Sequence, residues 1–202
     1  TLCVAEQAPW ANNPALKRAF LAGYGVNSAI EPALSENDQK VLEMIQPVIE
    51  KSREDAIRSL EKFVGNDTNA RFDLILANLY LETRKMPQAI KAFNTAIEKF
   101  PNFRAAHKNL GLAYFQEQKL DRAIAHFAKA VQLGEADAAL FGAMGQCHLS
   151  LGDGVAAETS FRYASMLQPS VMDWRKGNIA ALIRQGRIQD AIAQVDGLIA
   201  QD

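Results

Sequence analysis

Apolar residues fall at helical spacing along most of this chain. Leu110, Ala113 and Tyr114 stand at i, i+3 and i+4, which makes one stripe on one helix. Just downstream, Ala123, Phe127 and Ala130 form a second stripe, small–large–small. Both stripes recur at a fixed offset of 34 residues. Ala89, Phe93 and Ala96 return as Ala123, Phe127 and Ala130, and again as Ala157, Phe161 and Ala164. Leu76-Ala77 with Tyr80 returns as Leu110-Gly111 with Tyr114, then as Met144-Gly145 with His148. One supersecondary unit, a pair of helices and a turn, is therefore stacked several times. The alternation of size is a packing requirement. A ring such as Phe127 enters a close-packed interface only between small neighbours, and Gly111 lets the paired helix lie close.

A fourth copy is legible from Met172 onward. Ala191, Val195 and Leu198 take the place of Ala, Phe and Ala, and Gly186 follows Gly152 by 34 residues in the turn between the two helices. Trp174, Ile179, Leu182 and Ile183 keep an apolar face there. Upstream, residues 35–66 read as a poorer helix pair. Ser35 with Asp38, and Ser52 with Asp55, are helix-start signals. Ala56, Leu60 and Phe63 stand in for Ala-Phe-Ala, and Gly65 is placed to end the second helix. Pro47 lies where the first helix should continue, so a kink or a stop is expected. In residues 1–34, Asn13-Pro14 starts a short helix carrying Leu16, Phe20 and Leu21 on one face. Trp10, Phe20 and Tyr24 are too apolar for a free tail. Such a helix either covers an exposed repeat face or docks on another subunit.

Pro101 and Pro169 close the first and third copies. The whole pattern, Leu-Gly-x-x-Tyr on a first helix, Ala-x-x-x-Phe-x-x-Ala on a second, then Pro, resembles the tetratricopeptide repeat (TPR). The resemblance implies an all-α fold, a right-handed α-α superhelix (TPR solenoid) with an N-terminal helical extension or cap. The expected divisions are 1–34 (extension with a short helix), 35–66 (degenerate pair or cap), 70–103, 104–137 and 138–171 (three repeats), and 172–202 (a degenerate fourth).

In TPR arrays the first helices line a concave wall. That geometry, carried over, places Arg71, Leu74, Asn78 and Leu81 in the groove from the first repeat, and Lys108, Asn109, Leu112, Phe115 and Gln116 from the second. The third supplies Gln146 and the fourth Lys176, Ile183 and Arg184, with Ile75, Ala139, Ala143, Leu149 and Ala180 beside them. Such a mixed wall suits an extended peptide or an amphipathic helix of another protein. The expected function is thus a non-enzymatic protein-interaction scaffold in a bacterial envelope complex. A self-associating structural or regulatory module is the second reading. A substrate-presenting segment of a larger enzyme is a remote third. One TPR activity is expected to be absent. Chaperone-adaptor repeats clamp a terminal carboxylate with Lys, Arg and Asn. Here Asn78 and Asn109 match two clamp positions, but Leu74, Ala139 and Ala143 replace the cations, leaving a carboxylate desolvated beside neutral amides.

Charge and chemistry add exclusions. With 22 basic and 23 acidic residues, the net charge of −1 gives no reason to expect nucleic acid as a partner. No apolar stretch approaches the roughly 20 residues of a membrane span. His107, His126 and His148 lie in different helices or repeats without ligand spacing, so neither metal nor cofactor is expected. His148 occupies a core position of the repeat. Cys147 beside it points about 100° away around the helix, a poor arrangement for a nucleophile and its base. The glycines of Gly142–Gly145 and Gly152–Gly154 follow no strand and precede no Gly-Lys-Ser/Thr, so they serve packing and turns. Small residues at Cys3 and Ala5 resemble the end of a secretory signal, which suggests a periplasmic or secreted protein and otherwise a cytoplasmic one. Ile188, Ile192, Val195, Leu198 and Ile199 form an apolar stripe on the last helix, so the expectation is either homo-oligomer formation through terminal repeat faces or a natural chain that continues over it.

Overall fold

A computed structural model describes residues 29–199. Readings that concern residues 1–28, including the short helix after Asn13 and the signal-like start, lie outside the described residues. Among the described residues there are ten α-helices and no strands. They are α1 (Glu36–Lys51), α2 (Arg53–Phe63), α3 (Ala70–Glu82), α4 (Met86–Lys99) and α5 (Arg104–Gln116). Then follow α6 (Leu120–Gln132), α7 (Ala138–Ser150), α8 (Gly154–Leu167), α9 (Met172–Arg184) and α10 (Ile188–Ile199). No helix among the described residues is long and apolar enough to cross a membrane. The fold is an all-α solenoid of paired helices.

The helix ends follow from local chemistry. At α1, the Ser35 hydroxyl accepts from the Asp38 N–H while the Asp38 carboxylate accepts from the Ser35 N–H, a reciprocal capping box. Ser52 alone separates α1 from α2, and its hydroxyl caps α2 through the Asp55 N–H. Two expectations are met only in part here. Helix α1 runs through Pro47 without stopping. Both Pro47 and Glu43, the residue whose carbonyl loses its donor, are exposed, so water can take that carbonyl. Gly65 does not end α2 in a left-handed conformation. Val64 caps the helix in extended geometry instead, and the Gly65 carbonyl accepts from Lys99 Nζ at 2.7 Å.

The turn between paired helices repeats with the same period as the core. Lys85, Lys119, Asp153 and Arg187 each donate a backbone N–H to the residue five positions back, namely Tyr80, Tyr114, His148 and Leu182. This closure requires positive φ at the preceding residue. Gly152 (φ +86) and Gly186 (φ +76) supply it, but in the first two copies Arg84 (φ 59) and Gln118 (φ 57) adopt it.

Contacts divide the chain into two units. The first comprises the described residues to Ala113 with Lys129–Glu135, and the second Tyr114–Ala128 with Ala136 onward. In the first, Ala70, Ala96, Phe103 and Ala106 form a buried cluster against which Leu74, Ile97 and Phe100 pack. Ala89 and Phe93 are fully buried as the small–large–small pattern requires. In the second, Phe161 is held between two glycines from different helices. A methyl group at Gly145 of α7 or Gly177 of α9 would stand 2.9 or 2.5 Å from that ring. Trp174 lies equally close over Gly142. The last pair departs from the pattern: Ala191 is buried, but Val195, expected in the Phe position, is 39% exposed. No further helix of the described chain packs on α10, so valine there meets solvent.

Candidate functional site

In the first unit, α3 and α5 present the residues assigned to the groove, all half-buried: Arg71, Leu74, Asn78, Leu81, Lys108, Asn109 and Leu112. The two asparagines, one on each helix, meet. Asn109 Nδ2 donates to Asn78 Oδ1 at 2.9 Å. One hydrogen bond formed this way leaves both protons of Asn78 Nδ2 and one of Asn109 Nδ2 as donors, and both lone pairs of Asn109 Oδ1 and one of Asn78 Oδ1 as acceptors. Flipping both amides exchanges the roles and leaves the same complement. The side chains Leu81 and Leu112 stand one turn further along the same helices. Leu74 is partly committed to the core cluster behind it.

Lys108, Arg104 and Arg71 on this face are engaged. Lys108 Nζ lies 3.8 Å from Glu135, which also stands 4.0 Å from Arg104. Arg71 Nε donates to the Pro32 carbonyl at 2.8 Å. Glu31 approaches Arg104 at 3.6 Å. Burial raises the Glu31 carboxyl above its usual value, and Arg104, then Arg71, oppose that shift. Asn69, Arg104, Glu31 and Glu135 were not singled out by sequence reasoning. Asn69 alone carried a legible signal, since asparagine before an apolar helix is a cap, and it does accept from the Arg71 N–H.

A buried ion pair supports this face from behind. Asp73 on α3 is 2% exposed and receives Lys99 Nζ at 2.6 Å. The same ammonium donates to Gly65 O and Thr68 Oγ1, so all three of its protons are used. Burial pushes the Asp73 carboxyl up, and Lys99 only partly reverses this. His107 on α5 is also buried, with Nε2 3.0 Å from the Pro101 carbonyl. Burial holds its imidazole below the ordinary value, against the pull of that hydrogen bond.

In the second unit the assigned residues are less enclosed. Phe115 is half-buried, while Gln116, Gln146, Lys176, Ile183 and Arg184 are exposed. Lys176 stands 3.9 Å from Asp173 on its own helix. Arg184 lies across Gly152, its guanidinium 2.6 Å from where a methyl group would sit. Cys147 is fully buried and its thiol is pushed up to about 11 by burial, which keeps it a protonated core residue. His148 Nδ1 lies 3.9 Å from Asp153. No group of three or more His, Cys, Asp or Glu among the described residues could hold a metal ion.

A family model described as tetratricopeptide repeat matches residues 52–102 and 74–139. Residues 52–139 are thus tetratricopeptide repeats. Solved TPR structures share the fold of the chain. A MamA structure (AMB-1) matches with a TM-score of 0.69 at 20% identity, covering 75% of this chain and 84% of that one. A MamA structure from MSR-1 gives 0.67 at 21%, covering 77% and 92%. YrrB, described as a TPR protein with an unusual peptide-binding site, gives 0.62 at 20%, covering 78% and 74%. At such identities the likeness concerns the fold. No curated protein matches this chain.

Proposed function

We propose that this chain is a non-enzymatic protein-interaction scaffold that receives an extended segment of a partner on the α3–α5 face. The TPR fold supports the scaffold reading, and the Asn78–Asn109 pair carries the finer one. An extended peptide offers a carbonyl and an N–H at each residue, and the pair keeps both donors and acceptors for such a ligand. Leu81 and Leu112 supply apolar contact beside it. The unit binds main chain for affinity and apolar side chains for selection. Lys108, Arg104 and Arg71 already have partners within this chain, so a carboxylate terminus would have to displace one of them.

A library of random twelve-residue peptides selected on the purified protein tests this. Selected peptides should lose about tenfold in affinity with Asn109→Ala, the size expected for about 1.4 kcal/mol of lost hydrogen bonding. Leu112→Ala should weaken them as well, and Glu54→Ala, exposed on α2, should not. Peptides that bind both groove variants like the parent chain would refute the site.

A second reading is favoured by one observation. Ile188, Ile192, Val195 and Ile199 are 48, 48, 39 and 68% exposed along one side of α10. Self-association through that stripe would bury it. Sedimentation velocity should then show a dimer that Ile192→Lys converts to monomer, whereas a concentration-independent monomer ends this reading.

A further inference from the structure

The segment leading into α1 is bound as a ligand would be. Three of its backbone carbonyls within four residues are taken by groups from the starts of α3 and α5. Ile30 O accepts from the Arg104 N–H at 3.1 Å, Pro32 O from Arg71 Nε at 2.8 Å, and Ala33 O from Asn69 Nδ2 at 2.7 Å. Between them, the Glu31 carboxylate faces Arg104 at 3.6 Å, accepts from the Ala105 N–H and lies in the field of Arg71. The Ile30 side chain is buried. A segment serving only as a lead-in to α1 needs no such reading, because the Ser35–Asp38 box already caps that helix.

We propose that Ile30–Ala33 is an internal peptide occupying the end of the α3–α5 face where the first helices begin. When it is released, that end takes a partner peptide of the same chemistry, an apolar residue followed by an acidic one and proline. Carbonyl recognition by Asn69 and Arg71 sets the direction of the bound strand, and the acidic residue meets Arg104 and the first N–H groups of α5. Glu135, 4.0 Å from Arg104, keeps that guanidinium oriented when the internal carboxylate leaves. A tethered occupant acts at an effective concentration in the millimolar range, so it suppresses a free competitor until it is displaced. This deepens the peptide-binding reading of the same face, but it concerns contacts separate from Asn78 and Asn109.

The test uses a fluorescein-labelled peptide with the sequence of residues 29–35, titrated by anisotropy. The double variant Ile30→Asp, Glu31→Lys, its helicity checked by circular dichroism, should bind the peptide at least tenfold more tightly than the parent chain. Adding Arg71→Ala should reverse at least half of that gain on a logarithmic scale. The mild variant Glu31→Gln, which leaves Ile30 in place, should shift binding in the same direction by a smaller factor. A folded Glu31→Gln chain and a folded double variant that both bind like the parent overturn the proposal, as does indifference to Arg71→Ala. If library peptides still depend on Asn109 in that event, the scaffold function survives and only the internal ligand is lost.

Discussion

Lys99 shows most plainly how single residues hold this protein together. Its ammonium ties the α2–α3 loop to Asp73 in the interior. Lys99→Met should destabilise the chain by about 3–5 kcal/mol in urea unfolding, because it strands a buried carboxylate. The pair replaced together, Lys99→Met with Asp73→Leu, should cost less than the single change. This pair was not legible in the sequence: one copy later the two positions are Leu133 and His107, so no period marks them. His107 adds a pH dependence. Its folded-state value lies below the ordinary 6.5, so on acidification the unfolded chain takes up a proton first. The His107 contribution to stability is complete above about pH 6.5 and declines as pH falls below it. Melting temperatures from pH 7 to 5 should therefore fall less steeply in His107→Gln than in the parent.

At the level of elements, the periodic pattern predicts the helices well because each small–large–small stripe must face its neighbour. Phe93, Phe127 and Phe161 are all buried for that reason. The caps Ser35 and Ser52 were equally readable, since a hydroxyl before an apolar helix has few other uses. Pro47 misled because its cost depends on exposure, which local sequence does not carry. The recurring turn was only half legible: glycine marks it at Gly152 and Gly186, while Arg84 and Gln118 adopt the same left-handed geometry unmarked. Gln118→Gly should stabilise the protein by up to about 1 kcal/mol, the left-handed penalty less the entropy that glycine loses. Gly152→Ala should destabilise it by about 1–2 kcal/mol, since φ stays unfavourable and Arg184 must move. Thermal denaturation of both variants checks the pair of opposite signs.

For the molecule as a whole, the solenoid class follows from the repeat, but the details of the binding face do not. Sequence reasoning located Asn78 and Asn109 on facing helices without showing that the two would hydrogen-bond to each other. It also could not show that Arg71 is claimed by Pro32, because the two are 39 residues apart and outside the repeat register. The Asn78–Asn109 part of the face keeps unengaged amide groups, and the proposed main-chain recognition rests on them. The most direct measurement is an NMR titration of the ¹⁵N-labelled protein with a library-selected peptide, following the side-chain amide signals of Asn78 and Asn109. Both should shift with the same dissociation constant as the peptide binds, and Asn109→Ala should weaken that constant about tenfold. Shifts confined to α10, with both asparagine signals unmoved at saturation, would contradict the account.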